Sequence, residues 1–215
     1  PKDVQFARGV YTPPAGAGHK TYHPKLDADM DAIRTAVAMM AAAKRPIFYT
    51  GGGVINSGPA ASALLRELVA LTGFPITSTL MGLGAYPGSG ENWLGMLGMH
   101  GTFEANNAMH DCDLMIAVGS RFDDRITGRL DAFSPGSKKI HIDIDRSSIN
   151  KNVKVDLPIV GDCGHVLEAL VRVWRAEAIH AEKQPLDHWW AQINEWRERK
   201  SLAYRTSDTT IKPQY

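Results

Sequence analysis

Short apolar runs recur along this chain, and several of them end directly at a glycine. Residues 113–118, Asp-Leu-Met-Ile-Ala-Val, lead into Gly119. Residues 46–50, Pro-Ile-Phe-Tyr-Thr, lead into Gly51-Gly-Gly53, and 157–160, Leu-Pro-Ile-Val, into Gly161-Asp162. Runs this short and this continuously apolar suit strands buried on both faces. Two further runs fit the pattern: 74–79, and 138–145, where Ile140, Ile142 and Ile144 alternate.

Stretches with helical spacing lie between them. Met30, Ile33, Val37 and Met40 form one face of a helix over 27–43, capped by Asp27 or Asp29 and stopped by Lys44-Arg45-Pro46. A second helix spans 59–71 and ends at Thr72-Gly73. A third runs over 102–110, with Thr102 as its cap. A fourth covers 164–177, capped by Asp162, with Val166, Leu167, Leu170, Val173 and Trp174 on one face. Residues 186–202 make a last helix bearing Trp189, Trp190, Ile193 and Trp196, tryptophans that pack on this body or on a neighbouring one. Segment 85–96 reads as irregular, and 130–136 as a helical turn and loop. Strands alternating with helices predict an α/β fold: a doubly wound, mostly parallel sheet of about six strands with helices on both faces.

Three sections follow. Residues 1–26, with Thr-Pro-Pro-Ala-Gly-Ala-Gly at 12–18, read as a linker; 27–178 form the main domain; 179–215 form the tryptophan-rich helix and a further linker. The start at Pro1 and the stop at Tyr215 both look cut from a longer chain.

A net charge of +1 gives no electrostatic reason to expect capture of nucleic acid or of an acidic membrane surface. No apolar run approaches a membrane span. The two cysteines, Cys112 and Cys163, form no disulfide framework and sit beside apolar segments, which fits a cytoplasmic protein and packing roles. His19 and His23 stand four residues apart, but in Pro/Gly-rich sequence with no further ligands in view, so no metal site is assigned.

In an open parallel sheet, ligands bind at the carboxyl ends of strands, beside the change of direction. The loop at 119–128, Gly-Ser-Arg-Phe-Asp-Asp-Arg-Ile-Thr-Gly, places two arginines and two aspartates there. Arg121 and Arg125 offer planar forks for phosphate or carboxylate; Asp123 and Asp124 can orient them. Against this stands a plainer reading, in which the arginines share a helix face and the acids are first-turn residues or surface ion pairs. Gly51–Gly53 opens a strand–glycine–helix unit. Ile55 and Asn56 stand where a dinucleotide fingerprint wants glycine, so phosphate approach and a positive-φ turn both remain open. Asp143 and Asp145 end a strand where an acid meets ribose hydroxyls or caps the next turn, and capping suits Asp145. No nucleophile elbow, ordered Ser/His/Asp set, paired-carboxylate motif or metal cluster appears, and His100 has no orienting partner in sequence.

The Arg-Phe-Asp-Asp-Arg motif at 121–125, together with Gly-Met-His-Gly-Thr at 98–102, resembles the central domain of the acetolactate synthase (acetohydroxyacid synthase) family, thiamine-diphosphate enzymes that also carry FAD. Gly51–Gly53, Ser-Thr-Leu-Met-Gly-Leu-Gly at 78–84, His-Ile-Asp-Ile-Asp at 141–145 and Gly161-Asp162 match in order. The resemblance implies that FAD lies extended across this domain with no net redox part in the reaction. It implies contacts from Gly52, Thr79, Leu80, Leu97, Gly98, Met99, His100, Gly119, Ser120, Arg121, Phe122, Asp123, Asp143, Ile144, Asp162 and Cys163. It also implies that Lys2, Met99, Asp124 and Arg125 line the channel to thiamine diphosphate, with Arg125 suited to a 2-keto acid carboxylate. The family's catalytic glutamate and its thiamine-diphosphate and Mg²⁺ sites belong to flanking domains. The whole enzyme is then a homodimer or tetramer with a small regulatory subunit. It joins pyruvate to pyruvate or 2-ketobutyrate with loss of CO₂, for isoleucine and valine synthesis, and this piece alone is inactive.

Other readings compete. A sister thiamine-diphosphate enzyme (a keto-acid oxidase, decarboxylase or carboligase) shares the domain plan, but the paired motifs argue against it. A non-catalytic scaffold would use 186–202 as its contact surface. An NAD-linked deacetylase-like fold would need a catalytic histidine and usually a zinc module; two cysteines rule out a four-cysteine zinc site.

Overall fold

The computed structural model describes residues 2–11, 23–177, 182–211 and 213. The Pro/Gly-rich stretch at 12–18 and His19 lie outside the described residues. A short helix, α1 (Lys2–Phe6), comes first. Then follow α2 (Met30–Ala42), β1 (Pro46–Thr50), α3 (Gly52–Asn56), α4 (Pro59–Thr72), β2 (Ile76–Ser78), β3 (Trp93–Met96) and α5 (Phe103–Asp111). The chain continues through β4 (Leu114–Val118), α6 (Asp124–Thr127), β5 (Lys138–Asp143), β6 (Leu157–Val160), α7 (Cys163–Ala176) and α8 (Lys183–Arg197).

The strands form one sheet in the order β3-β2-β1-β4-β5-β6, every pair parallel. This is the doubly wound arrangement, with the switch point between β1 and β4. Alternate residues of each strand feed opposite faces. Phe48, Ile116, Val118, Ile140 and Ile142 pack with α2, α4 and α7 through Ile33, Val37, Leu65, Leu68, Val166 and Leu170. Ile47, Tyr49, Met115 and Ala117 pack with α5 and α8 through Ala105, Ala108, Trp189 and Ile193.

The caps are local and behave as their chemistry dictates. Asp29 accepts from the Asp31 N–H, Thr102 from Ala105, and Asp162 from Gly164 and His165. Gly73 closes α4 in the left-handed region, at φ 70°.

One strand departs from expectation. Segment 85–96, read as irregular, contains β3. It lies at the sheet edge, pairs on one side only, shifts register between Ile76 and Ser78, and carries Gly95 at φ +89°. A short edge strand broken by a glycine leaves little periodicity to read.

The tryptophans of α8 turn inward. Trp189 is buried and its Nε1–H donates to the Pro46 carbonyl at 3.0 Å; Trp190 Nε1–H donates to the Gly73 carbonyl at 2.9 Å. Trp196 stands edge-on to Trp189, ring centroids 5.7 Å apart. The segment offered as a scaffold's contact surface therefore ties Trp189 to β1, Trp190 to the turn after α4 and Trp196 to Trp189, all within this chain.

Candidate functional site

At the switch point the first loops of β1 and β4 meet backbone to backbone. The Gly51 N–H donates to the Val118 carbonyl at 2.9 Å, and the Gly53 N–H to the Gly119 carbonyl at 3.0 Å. A Cβ on Gly53 would stand 2.7 Å from Gly119 Cα, and one on Gly119 would stand 2.6 Å from Gly53 Cα and 2.9 Å from Cys163 Sγ. Of the three glycines at 51–53, none adopts positive φ; Gly119 does, at +62°. Crowding, not turn geometry, is what demands glycine at Gly51 and Gly53.

Beyond Gly119 the arginine loop divides its side chains. Phe122 has φ +54° and is 2% exposed. It packs against Tyr49, Phe133 and His141, with centroids 5.7, 5.9 and 5.0 Å away. Burying Phe122 lifts its neighbours to the surface, where Arg121 and Asp123 pair at 2.8 Å, their side chains 67% and 51% exposed. What Phe122 can offer a ligand is backbone. Asp124 and Arg125 lie in the single turn of α6, which begins after Arg121, so the two arginines share no helix face.

Residues from other segments of the chain hold this loop. His141 is fully buried on β5, and its Nε2 lies 2.7 Å from the Ser120 carbonyl. A carbonyl only accepts, so Nε2 carries the proton. Burial holds the imidazole below its ordinary pKa, the Ser120 bond and Asp143 opposing more weakly. The ring is therefore neutral, and its 3.9 Å approach to Asp143 Oδ2 is no ion pair. Its Nδ1 is buried with no partner among the described residues. Asn152 Nδ2 donates to the Phe122 carbonyl at 3.0 Å, and Ser120 Oγ to the Tyr49 carbonyl at 3.3 Å.

The 97–102 loop leans on the arginine loop. Gly98 has φ +96°, and a Cβ there would stand 2.7 Å from Ile126 Cδ1 and 3.0 Å from the Arg125 carbonyl. Asn106, one turn into α5, imitates a paired backbone. Its Oδ1 accepts the Gly98 N–H at 2.8 Å, and its Nδ2 donates to the carbonyls of Gly98 at 3.1 Å and Thr102 at 3.0 Å. Thr102 Oγ1 donates to the Leu94 carbonyl at 2.6 Å and closes the loop's base. Leu97 is buried, whereas Met99 and His100 are exposed at the tip.

The remaining strand ends complete a ledge. Thr79 accepts the Gly82 N–H at 3.1 Å, and the turn it caps (Leu80–Gly82) leaves Leu80 67% and Met81 73% exposed. Asp143 is nearly buried and accepts the Asp145 N–H at 2.9 Å; Ile144 is partly exposed. Asp145 caps its own turn by accepting from the Ser147 N–H, the role expected of it. Asp162 accepts from the Gly164 N–H at 2.9 Å and from Ser57 Oγ at 2.7 Å. The Cys163 thiol is pushed up to about 12 by burial and by the nearby Asp162 and Asp143 charges, so it stays protonated and inert. The Lys2 backbone opens α1; its side chain lies outside what is described.

The structure thus brings Gly52, Gly119–Asp123, Thr79, Leu80, Leu97–His100, Asp143, Ile144, Asp162 and Cys163 to the carboxyl ends of β1 through β6 and the loops that follow. Asn106, Asn152 and Ser57 support that edge and escaped the sequence reading; His141 stood in a matched stretch but with no role assigned. Asn106 carried a signal, as a poor helix former one turn after a cap. Asn152 carried none, because its partner is thirty residues away.

The ledge is open. Two open grooves lie elsewhere, beside α8: one of about 500 Å³ among Lys44, Arg45, Asp113 and His188, and one of about 470 Å³ among Glu91, Trp190 and Arg197. The first surrounds the entry to β1 and β4, where Asp113 accepts the Lys44 and Arg45 N–H groups at 2.9 and 2.8 Å. It is distant in the fold from the convergent glycines, and the ledge is the better candidate on chemistry. Among the described residues no His, Cys, Asp and Glu side chains group to hold a metal, and no helix is long and apolar enough to cross a membrane.

Comparison with known proteins bears on this ledge. Residues 33–170 match the family described as thiamine pyrophosphate enzyme, central domain. The acetolactate synthase isozyme 3 large subunit of Escherichia coli (strain K12) is 44% identical over 219 residues, covering 100% of this chain and 37% of that protein. The acetolactate synthase large subunit of Haemophilus influenzae is 43% identical over 195 residues, 91% of this chain and 34% of that protein. The acetolactate synthase of Mycobacterium bovis is 43% identical over 216 residues, 100% of this chain and 34% of that protein. The chain spans about a third of the length of these curated relatives.

Proposed function

The chain belongs to the thiamine pyrophosphate enzyme central-domain family, and from that premise we propose that it is the central domain of an acetolactate synthase large subunit and carries FAD along the carboxyl edge of its sheet. The observation that supports this most is the switch-point crevice. There glycines admit only backbone, and the buried Phe122 turns Arg121 and Asp123 outward.

The residues present fit a dinucleotide. Gly53, Gly98 and Gly119 let the strand-end loops pack against one another, and the exposed Arg121 guanidinium above them can exchange Asp123 for phosphate. Asp143 has one oxygen on the Asp145 N–H and the other available to ribose hydroxyls. Exposed Leu80, Met81, Met99 and Ile144 give a flat ring system apolar contact. Thr50 Oγ1 and Ser78 Oγ, at the ends of β1 and β2, are buried hydroxyls without partners among the described residues. In the proposed enzyme FAD supplies no net redox chemistry. This domain's residues bind and orient it. Asp124 and Arg125, with Lys2 and Met99, flank the approach of a 2-keto acid, Arg125 taking its carboxylate.

The rest of the proposal concerns the parent protein: thiamine diphosphate and Mg²⁺ in its other domains, and condensation of pyruvate with pyruvate or 2-ketobutyrate with CO₂ release. It also covers a dimer or tetramer joined by a small regulatory subunit, and a cytoplasmic location, in keeping with two unpaired cysteines. Titrating the purified chain with FAD, followed by flavin fluorescence, tests the reading. Saturable uptake weakened by Arg121→Ala and by Asp143→Ala is expected. Uptake indifferent to both substitutions overturns the site assignment, and no uptake by the chain or by its full-length parent overturns the cofactor assignment.

A further inference from the structure

We propose that Arg197, Arg199 and Ser201 are positioning residues for the 97–102 loop, bracing it from both ends. The inference deepens the cofactor reading above and rests on it only for its ligand consequence.

The segment 91–103 contains that loop, and its two ends meet residues 197–201. At the first end, Arg197 closes α8. Its Nη2 donates to the carbonyls of Glu91 at 2.9 Å and Trp93 at 2.8 Å, and Nη1 donates to Asn194 Oδ1 at 3.1 Å. The guanidinium lies over the Trp190 ring, 5.4 Å from its centroid. Trp190 is itself tied to Gly73. This fork therefore binds the entry to β3 through a rigid platform.

At the other end, the chain turns back after α8. Lys200 takes φ +49°, with its N–H on the Arg197 carbonyl at 3.0 Å and its carbonyl accepting from Ala203 at 2.8 Å. The turn lays Ser201 on the first turn of α5, where Ser201 Oγ accepts the Phe103 N–H at 3.2 Å. It also lays the Arg199 guanidinium over the Phe103 ring, 4.0 Å from the centroid. Phe103 follows directly on the Thr102 that closes the loop.

Between these anchors the base of the loop is held by the buried Leu97, whose N–H donates to the Ser78 carbonyl at 3.3 Å, and by the Thr102 N–H on the Met96 carbonyl at 2.9 Å. The tip is held by less: Met99 and His100 are exposed, and the ties there are Asn106 on Gly98 and the Gly101 N–H on the Gly98 carbonyl. A loop pinned at its ends opens locally when an end is released. The residues after α8 thereby set how Met99 and His100 are presented at the ledge, although neither touches them.

Amide hydrogen exchange on this chain tests the brace. Gly98 and Gly101 are the reporters, since neither bonds to the substituted residues. Arg199→Ala and Ser201→Ala should speed exchange there about tenfold, the loss of one modest interaction, while leaving β4 and β5 amides unchanged. Phe103→Leu should mimic Arg199→Ala, and the two together should add nothing further. Arg197→Ala should act on the same amides, and Arg197→Lys should restore only part, because a point charge replaces a fork. Unchanged exchange at Gly98 and Gly101, or equal acceleration throughout the sheet, overturns the proposal. Flavin affinity is read separately. Failure of both the chain and its full-length parent to take up FAD sinks the cofactor reading while the exchange result still decides the brace.

Discussion

Gly53→Ala separates local propensity from tertiary crowding by sign. Gly53 lies inside α3 without positive φ, so intrinsic helix propensity alone predicts a gain of about 1 kcal/mol for alanine. The structure predicts a loss. The new Cβ would stand 2.7 Å from Gly119 Cα and 3.2 Å from both the Gly119 carbonyl oxygen and Cys163 Sγ. The thiol can rotate; the backbone cannot, because the Gly53 N–H and Gly119 carbonyl hold the two loops together at 3.0 Å. Overpacking of this kind costs about 1–3 kcal/mol, and a backbone obstacle puts it in the upper part of that range. Net destabilisation is then about 1–2 kcal/mol, or roughly 2–8 °C in melting temperature for a chain of this size. The assay is thermal unfolding by circular dichroism of Gly53→Ala beside Gly136→Ala, whose Cβ would meet nothing within 4 Å and whose φ is not positive. The control should stay within about 0.5 kcal/mol of the parent. Adding Cys163→Ala should not rescue Gly53→Ala, since the nearest obstacle is Gly119 Cα. A melting temperature for Gly53→Ala at or above the parent's would refute the argument that the crevice is closed by backbone contact.

Three further outcomes are expected. His141 has its pKa depressed below 6.5 by burial, so the unfolded chain binds that proton more readily; its contribution is fully present above about pH 6.5 and declines as pH falls below it. A melting-temperature profile from pH 7.5 to 5.5 should be flatter in His141→Gln, and an unchanged slope would sink the assignment of a buried neutral ring. Asn106→Ala removes three hydrogen bonds from the 97–102 loop and should cost about 1–3 kcal/mol, with earlier proteolytic nicking there than elsewhere; nicking at the parental rate would count against the clamp. Trp189→Phe keeps an aromatic side chain but removes the Nε1–H donor to the Pro46 carbonyl together with part of a buried ring, and should cost about 1–2 kcal/mol in chemical denaturation, whereas a neutral result would mean that the bond and the lost ring volume together contribute nothing net.

The site was legible where chemistry repeats at short range. The arginine loop, the Gly-Met-His-Gly-Thr stretch and the acid closing β5 all stand at strand ends, as their motifs required. The plainer reading of the arginine loop holds in part: Arg121 and Asp123 form an exposed pair, and Asp124 opens a helical turn. Phe122 shows the limit. Its burial against Tyr49, Phe133 and His141 decides which neighbours face outward, and those contacts come from three separate segments.

By itself the sequence determined what acts within a few residues: the caps at Thr102, Asp145 and Asp162, a cap for α2 at Asp27 or Asp29 (the structure takes Asp29), the stop at Gly73, and the buried strands with their helical partners. Those features follow from hydrogen-bonding groups and side-chain periods along one stretch of chain. Tertiary structure alone decided the order of the strands and the place of β3 at the sheet edge. It alone set the demand for glycine at Gly51 and Gly53, and the hold of His141, Asn152 and Arg197 on loops far away in sequence. Each of these depends on which backbone atoms come to lie within a few ångströms of each other, and that distance is fixed only when the sheet closes its core.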